Sequence, residues 1–237
     1  MKKIISLLFA LALISFAFAQ TKKDKSKISL TDRAADHFMI QLSSDHWANL
    51  PDTINTHQKG FSRGLNIYFM IDKPFKTDPR YSVAFGLGIG SSNIFFQNMI
   101  VDLTNTGTAL PFDTTSHFKK YKLATSFLEA PVELRYTVHP ERESKSLKFA
   151  LGLKVGLMLD AHTKGKDLEN DNGGVIGAYT QKISNTIFFN NTRLSATARV
   201  GYGHFSLFGA YQITPYLKPG AGPDIKFFQI GICLSGL

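Results

Sequence analysis

The sequence predicts an all-β protein, an eight-stranded antiparallel transmembrane up-and-down β-barrel, on three observations. Apolar residues recur at every second position in about eight separate segments, which is the period of a strand and not of a helix. One face of each segment is apolar over about 9–11 residues, enough for a tilted strand to cross a bilayer, while the other carries glycines and charges. The connections alternate between long and short, as they do in outer-membrane barrels.

The chain opens with export chemistry. Lys2 and Lys3 precede an apolar run from Ile4 to Phe18, and Ala17-Phe18-Ala19 supplies the small-x-small pattern of a signal-peptidase site. That run, about 15 residues, is short for a membrane-spanning helix, which needs roughly 20. Residues 1–19 are therefore expected to be a signal peptide, residues 20–35 a flexible basic leader (TKKDKSK at its start), and residues 36–237 one barrel domain. Cys233 is the single cysteine, so an internal disulfide framework is excluded.

The strands read in order as follows. A first runs from His37 to about Trp47, with Phe38, Ile40 and Leu42 on one face. Leu65, Ile67, Phe69 and Ile71 alternate with Gly64, Asn66, Tyr68 and Met70, and Val83, Phe85, Leu87 and Ile89 with Ala84, Gly86, Gly88 and Gly90. Leu128 to Tyr136 oppose Glu129, Pro131, Glu133 and Arg135; Phe149 to Leu159 oppose Ala150, Gly152, Lys154, Gly156, Met158 and Asp160. Leu194 to Tyr202, Phe205 to Ile213 and Phe228 to Leu234 complete the set.

Continuous Leu, Ile, Val and Phe rows opposite charges and glycines suit a barrel whose apolar face meets lipid and whose polar face is enclosed. The connections Ala48–Lys59, Ile100–His117 and Thr163–Thr186 are long, Lys73–Arg80 and Gly203–His204 are short, and His139–Ser146 and Leu217–Pro223 are moderate. This places both termini on the periplasmic side and makes the long segments outer loops without their own structure. Aromatic residues near strand ends (Trp47, Phe69, Tyr81, Tyr136, Tyr202 and Tyr216) suit interfacial girdles.

The one chemical constellation is a set of charges on the lumen side: Glu129, Glu133, Arg135, Lys154, Asp160, Arg193 and Arg199. Both signs lie on neighbouring strands, which suits an interior ion-pair network filling a narrow barrel. The alternatives are an ion pathway or an active centre. No nucleophile is marked with its base, so no catalytic residue is expected and the protein is read as a non-enzyme. Gly86, Gly88 and Gly90 lack the following helix of a dinucleotide fingerprint, and the 7 histidines show no metal-ligand spacing, so no cofactor or metal is expected. The formal net charge of +9 is not read as nucleic-acid binding in an exported chain. The expected partners are outer-membrane lipid and lipopolysaccharide facing basic loops, and other outer-membrane or secretion-system proteins.

Two segments carry a family resemblance. Residues 127–136 (FLEAPVELRY) resemble the YLEIP-x-L-x-KY strand of the PorT-like outer-membrane β-barrel proteins of Bacteroidota, and residues 206–234 (SLFGAYQITPYLKPGAGPDIKFFQIGICL) are similar to that family's last hairpin. The resemblance spans the chain from His37 onward. It implies an eight-stranded barrel of the OmpA/OmpX type in the bacterial outer membrane, acting as a structural or accessory component, with PorT itself associated with type IX protein secretion. The ending in Leu237 departs from the terminal aromatic residue of many outer-membrane proteins. A small pore, or a barrel binding ligands through its outer loops, are the other roles open to such a chain.

Overall fold

The computed structural model describes residues 38–59, 61–115, 117–170 and 172–236. The expected signal peptide and leader, and His37, lie outside these residues.

In chain order the elements are β1 (Phe38–Ala48), a one-turn helix α1 (Asp52–Asn55), β2 (Ser62–Pro74), β3 (Tyr81–Phe96), β4 (Ile100–Val101), β5 (Phe112–Asp113), β6 (His117–Thr137), β7 (Leu147–Glu169), β8 (Val175–Ser184), β9 (Thr192–Tyr202), β10 (Phe205–Gln212) and β11 (Lys226–Ser235). Eight of them close a barrel in the order β1-β2-β3-β6-β7-β9-β10-β11, every pairing antiparallel and β11 returning to β1. Strand order follows chain order, so this is an up-and-down barrel, the expected fold. Closure removes the edges that an open sheet would leave unpaired in lipid.

The alternation sorts side chains as the sequence predicts. Leu65, Ile67 and Phe69 of β2, Phe85, Leu87 and Ile89 of β3, and Leu151, Leu153, Val155 and Leu157 of β7 are all exposed on the outside. Their neighbours Asn66, Tyr68, Met70, Glu129, Glu133 and Lys154 are buried in the lumen. An eight-stranded barrel is only wide enough to be filled by side chains, and the central lumen of this one is filled, with a space of about 170 Å³ left beside Phe118, Tyr121, Thr163 and Gly165.

At the end of the barrel with the shorter connections, the β9–β10 and β2–β3 turns are tight. Gly203 turns β9 into β10 with φ at 61°, a left-handed conformation that costs glycine nothing. A Cβ there would also lie 2.6 Å from the carbonyl oxygen of Ser144. In the β2–β3 turn, Arg80 donates to both carboxylate oxygens of Asp78 at 2.8–3.1 Å. These bonds hold the Asp78 carboxyl below the usual carboxylate range.

The opposite end, where the long connections lie, corrects three expectations. Residues 163–186 are not a structureless loop: β7 continues to Glu169 and returns as β8, which pairs with the upper half of β7 where β9 pairs with the lower half. Residues 100–117 hold the β4–β5 ladder and send Val101, Leu103 and Leu110 into an apolar cluster. Trp47 and Tyr216 belong to that cluster, only 4% and 3% exposed, and not to an interfacial girdle. With Phe96, Tyr121, Phe188, Phe189 and Phe227 they form a lid of packed rings over this mouth of the barrel. Burying such aromatic surface is worth several kcal/mol per ring, so the loops fold down onto the barrel instead of extending into solvent.

Candidate functional site

The polar lumen below the lid is built from residues that alternation aims inward on seven strands. At its centre Glu129 of β6 is fully buried. Its carboxylate receives Lys154 of β7 at 3.1 Å, the guanidinium of Arg193 of β9, and the hydroxyl of Tyr68 of β2 at 2.5 Å. Lys154 also donates to the Tyr68 hydroxyl at 3.1 Å. The guanidinium of Arg193 lies 3.9 Å from the Phe127 ring centroid and 5.7 Å from that of Phe227. Two of its nitrogens have no hydrogen-bond partner; the aromatic faces take their place.

Toward the end of the barrel with the shorter connections a second cluster forms around Glu133 of β6. Arg135 donates to it at 2.8 Å and Arg199 at 2.9 Å. Arg135 also lies 3.9 Å from Asp72 of β2, and Arg199 reaches the hydroxyls of Ser206 and Ser235. Toward the lid, Asp45 of β1 accepts from Ser43 at 2.5 Å and from Gln229 at 3.0 Å. Asp45, Asp72, Glu129 and Glu133 thus face Arg135, Lys154, Arg193 and Arg199, four acids against four bases. Charges taken out of water require such pairing.

Six of the seven charges expected in the lumen are brought together there. Asp160 is not among them. Pairing steps from Ser126–Asp160 to Phe127–Met158, so Leu159 is an extra residue on β7, a β-bulge. Beyond it the parity of β7 inverts: Ala161 and Thr163 are buried, while Asp160 lies outside with 40% of its side chain exposed, accepting from His162 at 2.7 Å. Tyr68, Asp45, Asp72 and Gln229 were missed. Tyr68 sits on the inward parity of its strand, which is the signal that could have found it.

Glu129 and Glu133 are each paired with two cations, and Asp45 accepts from the Ser43 hydroxyl and the Gln229 amide. Among the described residues no group of three His, Cys, Asp or Glu is placed to hold a metal ion. The space at the inner mouth, lined by Asp72, Arg135, Thr137 and Arg199 among others, measures about 10 Å³, room for about one water molecule. Gly90 shows how close the packing is: a Cβ there would lie 2.5 Å from a carboxylate oxygen of Glu129.

Two solved structures of Ail, the attachment invasion locus protein of Yersinia pestis, are similar to this chain. One is in complex with the heparin analogue sucrose octasulfate, at 12% identity, and the other is at 11%. Each covers 84% of this chain and 95% of its own, with a TM-score of 0.34. No curated protein matches the chain. A family model described as an outer membrane protein beta-barrel domain matches residues 18–218, so the chain belongs to that family and its barrel lies in the bacterial outer membrane.

Proposed function

We propose that the protein is a non-enzymatic, non-conducting outer-membrane scaffold whose working surface is its outer side. One observation carries this reading: the lumen is filled twice over, by paired charges at mid-membrane and by the aromatic lid above them. A pore needs a continuous wet path, and an enzyme needs a cleft that admits substrate. Neither fits a lumen this full, whereas the upper parts of β3, β6, β7 and β8 form a sheet standing above the lipid-facing rows. The test is single-channel recording from the purified full chain in planar bilayers. Silent insertion is expected, verified by protease protection of the barrel, and a reproducible unitary conductance would sink the reading.

A finer role as an accessory of type IX protein secretion is supported by the resemblance of residues 127–136 and 206–234 to PorT-like barrels. Deletion of the protein in its native host is then expected to leave secretion cargo unprocessed in the periplasm. Normal cargo secretion would remove that role and leave the scaffold reading intact.

A further inference from the structure

Above the bulge at Leu159 the even-numbered residues of β7 turn outward, onto the same face as lysines of β6 and β8. Lys122 lies directly opposite Lys164, Lys164 opposite Lys182, and Lys120 opposite Lys166. Directly opposed residues share a face with their Cβ atoms about 5 Å apart, so five ammonium groups crowd a patch on the order of 10 Å across. The first rank continues through Phe95, opposite Lys122, toward Arg63, whose guanidinium lies 5.7 Å from the Phe95 ring. Lys120, Lys164, Lys166, Lys182 and Arg63 are exposed; Lys122 is half-buried and donates to the Asn93 side-chain oxygen at 2.6 Å.

Like charges placed directly opposite one another destabilise a sheet. Among the described residues no carboxylate is within ion-pair distance of these lysines, and Asp160, at the foot of the face, is occupied by His162. Burial, then the nearby Lys164 and Lys182, push the Lys122 ammonium below its ordinary range. The ladder therefore costs stability until an anion from outside completes it.

Its height says which anion. The lipid-facing row of β7 runs from Leu147 to Leu159, all apolar and 44–66% exposed. Lys164 lies about five residues further, or roughly 10 Å above the apolar edge at about 3.3 Å per residue and about 45° tilt. That is the level of phosphorylated sugar headgroups, above acyl chains and below bulk solvent. We propose that Lys122, Lys164 and Lys182, flanked by Lys120, Lys166 and Arg63, bind the phosphate groups of an outer-leaflet glycolipid of the lipid A type. The proposal rests on the scaffold reading, in which this face points out of the cell.

Native mass spectrometry of the full-length protein in detergent, titrated with bisphosphorylated lipid A, tests the site. Wild type is expected to retain the lipid, K122Q/K164Q/K182Q to bind roughly a hundredfold more weakly at about fivefold per lysine, and K122R/K164R/K182R to bind as wild type does. Heat-shifted gel migration establishes that each variant is folded. Equal binding of dephosphorylated lipid A, or an unchanged affinity of the glutamine variant, would overturn the proposal. Tighter binding of soluble inositol hexakisphosphate than of lipid A would also overturn it, by assigning the patch to a free polyanion. Orientation is read separately, by labelling Asn172→Cys at the β7–β8 tip with a membrane-impermeant maleimide. Labelling on intact cells supports the outward face; labelling only after rupture would remove the scaffold reading whatever the lipid A titration gave.

Discussion

Glu129→Gln is the most incisive perturbation of the lumen. The substitution keeps the shape of the side chain and removes one negative charge from between Lys154 and Arg193, whose side chains are 3% and 2% exposed. It leaves those two cations with a neutral amide oxygen, and three acids against four bases in the buried network. Breaking a buried pair by removing one partner costs about 3–5 kcal/mol, because the remaining charge stays uncompensated. With a urea dependence of about 2 kcal/mol per molar, the unfolding midpoint falls by roughly 1.5–2.5 M. The assay is urea unfolding of the full chain in phospholipid vesicles, followed by fluorescence of Trp47, the single tryptophan, which packs on Phe96 and Tyr216 in the lid. Glu129→Gln combined with Lys154→Met restores the balance of charge and recovers part of the loss. A single variant within about 0.5 kcal/mol of wild type, the usual range for surface changes, would refute the idea that this pair is desolvated.

Four further outcomes are expected. Tyr68→Phe removes one hydrogen bond to the Glu129 carboxylate and costs about 1.5–3 kcal/mol in the same titration; in combination with Glu129→Gln the two losses fall short of their sum. Phe189→Ala, at a fully buried ring of the lid, costs about 3–5 kcal/mol locally. Hydrogen exchange of the Lys218 amide, bonded to the Phe188 carbonyl at 2.9 Å, then accelerates while β2 amides stay unchanged. In the β2–β3 turn the depressed Asp78 carboxyl adds stability that is present above the unfolded carboxylate pKa and is lost as pH falls through the folded one; Arg80→Ala brings the Asp78 midpoint, followed by NMR, back up toward the ordinary range. Deleting Leu159 leaves the β7–β9 pairing but turns Lys164 toward the lid, so the β8 hairpin becomes protease-sensitive with the barrel still formed.

Much of the barrel was legible because its two faces differ in chemistry at every step. Leu151, Leu153 and Val155 opposite Gly152, Lys154 and Gly156 allow only one assignment of inside and outside, and residue pairing then brings the charges together. What escaped has physical causes. Trp47 and Tyr216 sit at strand ends like girdle aromatics, and their burial depends on residues 94–110 and 188–225 folding over the mouth, which is a non-local event. Asp45 shares the inward row of the first strand with Gln41 and Ser43, while Ser44 and His46 put polar groups on the outward row as well, so its charge did not stand out. The β8 hairpin is rich in glycine, lysine and polar residues, and its contact with the lid rests on scattered residues such as Leu168 and Ile183, so no continuous apolar row marks it.

Asp160 escaped for the most instructive reason. Strand periodicity counts in twos, and one extra residue reverses the count for everything after it. The residues around the bulge, Met158, Leu159 and Asp160, alternate equally well in either phase, so only pairing with Ser126 and Phe127 reveals the step. The reversal has a use. Below it, the outward row of β7 is Leu151, Leu153, Val155 and Leu157, suited to acyl chains; above it, the outward row is His162, Lys164 and Lys166, suited to charged headgroups. The inward row changes at the same point, from Lys154 and Gly156 to Ala161, Thr163 and Gly165, small residues that leave room for Phe118 and Tyr121 under the lid. Without the step, β7 would offer its lysines to the aromatic lid. A single inserted residue therefore falls where the exposed apolar row of β7 gives way to lysines, and it separates the packed barrel from the sheet that continues beyond it.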